Sequence, residues 1–318
     1  MLTSVEICAG AGGQALGLEK AGFQHQALIE IEPEYCATLM HNRPCWNVIR
    51  QDVREFSGNG YSGVDLLAGG VPCPPFSKAG KQLGASDERD LFPEIIRLAR
   101  EIIPRAILIE NVRGILDSVF DGYRDHIKNE LADAGYYGEW YLSNASHFGV
   151  PQLRPRVTFV AMHKYVEVDY IHPQEKREAP TVGEAIYDLM RENDWEQVDG
   201  WKAQANRIAP TIVGGSKKHG GPDLGPTRAR KAWAELGVDG SGIAVEAPQK
   251  RFKGMPKLTN RMVARLQGFD DDWEFVGSKT SVYRQIGNAF PPPVAHSIGA
   301  AIKECLSAEA VYEMRGVG

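Results

Sequence analysis

No stretch of the sequence approaches the ~18 uninterrupted apolar residues of a membrane-spanning helix. Its opening, Met1-Leu2-Thr3-Ser4-Val5-Glu6, lacks the basic start and apolar core of a secretory signal. These two absences predict a cytosolic chain. Cysteine is scarce: Cys8, Cys36, Cys45, Cys73 and Cys305 are odd in number and scattered over 318 residues. Such spacing gives neither a disulfide framework nor paired zinc ligands, so reduced thiols and no metal are expected. Internal repeats are missing too. Positive charge is not in excess, since the formal net charge is −5, which argues mildly against a nucleic-acid partner. Its distribution says otherwise. From Trp201 to Asn260 there are 11 Lys and Arg against 4 Asp and Glu, giving +7 there and −12 elsewhere. That asymmetry fits a phosphate-facing lobe on an acidic body.

The remaining composition, 43% hydrophobic and 24% charged, is that of a globular protein. Val5 to Ala9 reads as a buried strand, followed by glycines and a helix carrying Leu16, Leu18 and Ala21. A short strand at Ala27–Ile29 and a helix from Pro33 to Met40 come next. Val64–Ala68 and Ala106–Ile109 are continuous apolar strands of the kind buried on both faces of a parallel sheet. Between them Pro93 suits a helical first turn, Ile95, Leu98 and Ile102 recur at helical spacing, and Pro104 ends the helix. Val157–Ala161 is a further strand. This alternation predicts an α/β doubly wound sheet. After Tyr170 the periodicity fades and Gly and Pro gather, yet Trp195, Trp201, Ile208, Ile212, Trp233, Leu236 and Ile243 can build a small second domain. Helical spacing returns at Leu258, Met262 and Leu266 and again from Pro293 to Leu306.

Chemistry gathers at the strand ends. Gly10-Ala11-Gly12-Gly13-Gln14-Ala15 fits a loose G-x-G-x-x-A pattern, which frees a helix N-terminus to face an anion. Glu30 follows where a carboxylate accepts hydrogen bonds from ribose hydroxyls. The pair suits a dinucleotide or S-adenosylmethionine alike. Asp52, after a third short strand, is placed to reach an adenine amino group or to serve as a surface carboxylate. Asp65 to Ser77 runs an apolar strand into Gly69-Gly70-Val71-Pro72-Cys73-Pro74-Pro75, presenting a cysteine on a tight loop. Alone it is as compatible with a Pro-rich turn as with a nucleophile. Glu110, at the end of its own apolar strand, offers proton donation beside that thiol. Arg154 and Arg156 alternate on an extended segment and so share a face. There they would lower the thiol pKa, orient Glu110 or hold a phosphate.

In this order, these pieces resemble the cytosine-C5 DNA methyltransferase family of bacterial restriction-modification type, across nearly the whole chain. Glu6 to Gly13 looks like its cofactor loop, Glu30-Ile31-Glu32 its ribose segment, and Asp65 to Ser77 its Pro-Cys loop. Glu110-Asn111-Val112 matches the Glu-Asn-Val motif, and Gln152-Leu153-Arg154-Pro155-Arg156 the Gln-x-Arg-x-Arg motif. Arg265 to Phe269 and Tyr283 to Ala289 look like the last two. The resemblance implies a Rossmann-like sheet with a smaller target-recognition domain. The corresponding boundaries are 1–170 (catalytic), 171–256 (target recognition) and 257–318 (returning to the catalytic domain). It implies S-adenosylmethionine as cofactor and double-stranded DNA as substrate, with the target cytosine rotated out of the helix. Cys73 would add to cytosine C6, Glu110 would serve N3, and Arg154 and Arg156 would organise the base and Glu110. Cys8, Ala9, Gly10, Ala11, Gly12, Gly13, Glu30, Ile31, Asp52, Val53, Pro72, Leu91, Asn288 and Ala289 would line the cofactor site. Ser77, Lys78, Lys81 and Arg89 on a lid over the DNA, with Gln152, Thr211, Lys217, Lys218, Arg228 and Arg230, would meet the nucleic acid. A monomer in the bacterial cytosol, sharing its site with a cognate endonuclease it need not touch, completes the expectation.

Four positions depart from the commonest family pattern: Cys8 replaces an aromatic, Ile31 a tryptophan, Pro74 a glutamine, and Ala79 a polar lid residue. Three rival readings account for less of the sequence. A nicotinamide-dependent oxidoreductase shares the glycine loop and Glu30 but gives no reason for Cys73, Glu110 or the basic lobe. A tRNA cytosine methyltransferase lacks a match to its Cys-Phe-Thr signature here. A non-catalytic DNA-binding relative would not retain every catalytic residue.

Overall fold

The strands are β1 (Leu2–Ile7), β2 (Phe23–Glu30), β3 (Val48–Arg50), β4 (Leu66–Gly70), β5 (Ala106–Val112), β6 (Tyr136–Asn144) and β7 (Pro155–His163). In this computed structural model, which describes residues 1–72, 90–174, 176–215 and 221–315, they form one sheet ordered β3-β2-β1-β4-β5-β7-β6. Pairings from β3 through β5 are parallel, and β7 lies antiparallel between β5 and β6. The apolar runs explain the order. β4 and the Ala106–Ile109 part of β5 are buried on both faces and sit centrally, whereas β6 is buried only in places and lies at an edge.

Helices cover both faces, as the alternation predicts. On one face α3 (Phe92–Ile102) and α4 (Asp121–Asp133) seat Ile95, Leu98, Ile102, Ile127 and Leu131 against Ile7, Ile107 and Ile109. On the other, α1 (Gly13–Ala21) and α11 (Pro292–Arg315) pack Leu18, Ile298 and Ile302 on Leu66, Ala68 and Leu108. α2 (Pro33–Asn42) connects β2 to β3, starting with proline at its first turn. Strand order runs outward in opposite directions from β1 and β4, so the crevice beyond their carboxyl ends is the ligand-binding position of such sheets. Among the described residues, no helix is long and apolar enough to cross a membrane.

The segment after Tyr170 is built from α5 (Val182–Ala185), α6 (Tyr187–Met190), α7 (Val198–Gln204) and α8 (Thr227–Glu235). Trp195, Trp201, Ile212, Trp233, Leu236 and Ile243 are buried, and Ile208 is half-buried. Their core is not separate. It is continuous with Leu258, Met262 and Leu266 of the next stretch, where α9 (Asn260–Gln267) lies, and with Val282 and Ile286 of α10 (Lys279–Asn288). The same cluster reaches Ala15, Leu16, Leu28 and Leu39 on the sheet side.

Candidate active site

The glycine loop leaves β1 and enters α1 with Gly12 as an uncapped N-terminal residue, so the first N–H groups of α1 have no side-chain acceptor. Glycine at 13 has a packing reason as well, because a Cβ there would lie 2.2 Å from the Phe290 carbonyl oxygen. Glu30, at the end of β2, first serves the loop. It accepts from the Gly10 N–H at 2.7 Å and the Glu32 N–H at 2.8 Å. Burial raises its proton affinity and those backbone donors oppose the rise. Carboxylate oxygens have further lone pairs, so a hydroxyl can still be accepted. Beside it Ile31 is 55% exposed, an unburied apolar face available to a flat ring.

Asp52 lies two residues beyond β3. It caps a short 3-10 turn, accepting from the Arg54 N–H at 3.0 Å and pairing with its guanidinium at 2.9 Å. Val53 behind it is buried in the core. Cys8 adopts a left-handed backbone, φ 51°, and burial together with Glu30 pushes its thiol far up. Cys8, Ala9, Gly10, Ala11 and Gly13 line one cleft with Gly70, Glu110, Asn288 and Ala289. Leu91 packs into the core at the start of α3, and Pro72 is exposed; neither lines that cleft. Glu6, Gln14, Tyr35, Gln285 and Phe290 also line it, and the sequence reading did not single them out. A glutamate inside an apolar strand and a glutamine in the turn after the glycines were the signals available.

At the reacting end, Glu110 on β5 stands in register with Gly70 on β4. A Cβ on Gly70 would come within 3.3 Å of Glu110 Oε2, so the bare glycine backbone leaves the carboxylate its room. Arg156 of β7 meets Glu110 Oε1 at 2.8 Å, with only 13% and 12% of the two side chains exposed. Burial raises the Glu110 carboxyl, while Arg156 and then Arg154 pull it back. A carboxyl so balanced can donate a proton without being far from its ionised form. Asn111, 3% exposed, donates from Nδ2 to the Val71 carbonyl at 3.1 Å. That bond ties the Glu-Asn-Val segment to the residues leading into Pro72.

Arg154 requires a correction. Rather than facing a substrate with Arg156, it is fully buried, donating to the carbonyls of Ile212 (2.6 Å), Gly287 (2.6 Å) and Ala289 (3.2 Å). Burial and neighbouring Arg156 lower its proton affinity, with Glu110 opposing them, yet a guanidinium keeps its charge in proteins. Gln152 requires one too. Expected toward DNA, it is fully buried, donating to the Leu266 carbonyl and Gln267 Oε1 and accepting from the Ile212 N–H. Thr211 donates its hydroxyl to the Leu153 carbonyl at 2.5 Å. Gln152, Arg154 and Thr211 therefore form a joint between β7, the 182–247 segment and α10. Arg228 and Arg230 are exposed on α8, two residues apart and so on different faces. Cys73, Pro74, Ser77, Lys78, Ala79, Lys81, Arg89, Lys217 and Lys218 lie outside the described residues. The first described residue after the Cys73 segment, Asp90, accepts from the Phe92 N–H and from the Tyr123 hydroxyl at 2.6 Å, pinning the start of α3 to α4.

Comparison with known proteins accords with this geometry. Residues 2–304 match the model of the family described as C-5 cytosine-specific DNA methylase. The chain is 57% identical over 311 residues to the Type II methyltransferase M.NgoMIV of Neisseria gonorrhoeae, covering 96% of this chain and 99% of that protein. It is 56% identical over 322 residues to the Type II methyltransferase M.NaeI of Lentzea aerocolonigenes, covering 99% and 78% respectively. Among solved structures, the S. pombe Dnmt2 methyltransferase superposes with a TM-score of 0.66 at 19% identity, covering 96% of this chain and 99% of that one, a likeness of fold. The chain belongs to the C-5 cytosine-specific DNA methylase family.

Proposed function

We propose that the enzyme methylates C5 of a flipped-out cytosine in double-stranded DNA through a covalent bond between Cys73 and C6. The observation carrying this reading is Glu110: a buried carboxyl ion-paired to Arg156 at the end of β5, in register with Gly70 three residues before Cys73, in the cleft of the glycine loop. S-adenosylmethionine, when bound, supplies an electrophilic methyl group. The uncapped α1 N-terminus, Glu30 and the exposed face of Ile31 fit such a nucleoside cofactor.

The Cys73 thiolate adds to C6, and the C5–C6 π electrons become nucleophilic at C5. Glu110 hydrogen-bonds or protonates N3, stabilising the charge that builds on the ring. Arg156 keeps the Glu110 carboxyl aimed and moderates its proton affinity. After methylation, loss of the C5 proton returns its electron pair to the ring and expels the thiolate. Residues 171–256 serve as the target-recognition domain, with exposed Arg228 and Arg230 on two faces of α8 each available for a phosphate. The enzyme acts in the cytosol as a monomer, protecting DNA from an endonuclease of the same site.

DNA carrying 5-fluorocytosine at the target tests the scheme, because the C5 fluorine cannot leave as a proton does. A denaturation-resistant protein–DNA adduct is expected from the wild type and none from Cys73→Ala, which should still bind the cofactor. An active enzyme that forms no adduct would refute the covalent step.

A further inference from the structure

β7 carries a single hydroxyl within an apolar run, Val157-Thr158-Phe159-Val160-Ala161. Thr158 is 1% exposed, and its Oγ1 hydrogen-bonds to no described residue. The strand lies inside the sheet, so Thr158 has a neighbour on each side. Glu110 of β5 and Tyr141 of β6 stand directly opposite it in antiparallel register. Residues opposed in this way share a face, with Cβ atoms about 4.5–5.5 Å apart. Arg156, two residues earlier on β7, shares that face too and holds Glu110 Oε1. One strand thus sets a guanidinium and a hydroxyl beside the same carboxyl.

Packing gives no reason for threonine here. A buried hydroxyl without a partner costs stability, and valine, of nearly the same shape, suits an interior strand better. A local rule broken inside a sound core points to function. Of the two neighbours, Tyr141 is engaged ring to ring with His172 at 4.2 Å. Glu110 is the one with a use for a donor. We propose that Thr158 is a positioning residue for Glu110, its hydroxyl donating to the carboxylate that remains once the Glu110 proton has passed to cytosine N3. The electron pair of the broken O–H bond stays on Glu110, and the Thr158 O–H bond is not broken. The proposal rests on the role of Glu110 given above and names a second support, after Arg156, for its ionised form. Catalytic hydrogen bonds commonly tighten only when substrate is seated, which fits a hydroxyl unpartnered in the free protein.

The charged and titratable groups around this carboxyl are Arg156 and Arg154 from β7, Glu6 of β1 and Cys8 after it, Tyr35 of α2, and Tyr141 of β6 beyond Thr158. Arg156 and then Arg154 favour the ionised form against burial. A hydroxyl donor adds to them without adding charge, so its removal leaves Glu110 holding its proton to higher pH.

Thr158→Val, which loses the hydroxyl and keeps the branched shape, provides the test, read as the single-turnover methylation rate at saturating DNA and cofactor. The maximal rate should fall about tenfold, and the alkaline limb of its pH profile should move up by about one unit. Thr158→Ser should return both toward wild type. In a Glu110→Gln background, Thr158→Val should change the residual rate by less than about twofold, because its partner is gone. Thr158→Val should also melt no lower than wild type, since it takes an unpartnered hydroxyl out of the core. If valine prevents folding, Thr158→Ala takes its place in each comparison. A limb that stays in place, or an equal loss in the Glu110→Gln background, would overturn the assignment. A wild-type enzyme that transfers no methyl group to cytosine in duplex DNA would instead overturn the reading of the reaction itself.

Discussion

At the scale of single residues, Glu110 and Arg156 carry the sharpest expectations. Glu110→Gln should lower kcat by about 10²–10⁴-fold, the usual worth of a positioned proton donor, while cofactor binding holds. Unchanged turnover would remove Glu110 from the chemistry. Arg156→Gln takes away the charge that most opposes burial, so the Glu110 carboxyl should hold its proton to higher pH. The alkaline limb of the kcat/KM profile should then move upward even as its maximum drops; a fixed limb would separate the ion pair from the reaction. Glu6 makes a prediction about stability. Its carboxyl binds a proton more tightly in the folded than in the unfolded state, so folding loses stability as pH rises from the ordinary glutamate value, about 4.3, through the raised one. Glu6→Gln should therefore melt higher than wild type near neutral pH and nearly equally at pH 4, by calorimetry across that range. Glu30, Glu110 and Cys8 were legible in sequence because motif spacing placed them at strand ends. Arg154 was misread because alternation on a strand tells which side chains share a face, not whether backbone carbonyls or solvent wait there, and Gln152 because a motif match does not tell whether its side chain is buried.

Secondary elements show where periodicity suffices. β1, β2, β4, β5, α1, α2, α3 and α11 announced themselves through apolar runs, proline punctuation and 3.6-residue spacing. β6 and α4 did not. β6 is an edge strand whose buried and open positions do not alternate strictly, and α4 buries only Ile127 and Leu131. Such elements take their form from what they pack on. The α1–α11 contact illustrates the reverse, a local preference overruled. Glycine inside a helix costs roughly 1 kcal/mol relative to alanine, yet a Cβ on Gly17 would lie 2.5 Å from both the Pro292 carbonyl oxygen and the Ala295 Cβ. Gly17→Ala should thus destabilise the protein by about 1–3 kcal/mol in urea, as overpacking does, despite the better helix former. A stabilised variant would show that α11 can move aside.

For the molecule as a whole, the continuous apolar cluster joining the 182–247 segment to α9, α10 and the sheet side bears on cooperativity. Thermal unfolding should proceed in one transition, coincident by near- and far-ultraviolet circular dichroism, rather than losing the 182–247 segment first. Arg154→Met should lower that single transition, since it takes the side-chain donor from the Ile212 and Gly287 carbonyls, each costing about 1–3 kcal/mol when buried without a donor, while Ala289 keeps Gln267. Two resolved transitions in the wild type would contradict the shared core. Composition had signalled a lobe through its basic residues and tryptophans, but nothing in its poor periodicity revealed how firmly it is fastened.

The joint at Gln152 and Arg154 has an evolutionary corollary. Toward the lobe, these two side chains grip only the peptide group of Ile212, and the flanking bonds between Ala209 and residues 151 and 153 are also main chain to main chain. Apart from the Thr211 hydroxyl on the Leu153 carbonyl, these bonds read backbone and are indifferent to side-chain identity. Lobe sequences can therefore diverge around positions 209 and 212 while the polar coupling to the Gln152–Arg154 segment stays the same, provided the shared apolar core is kept.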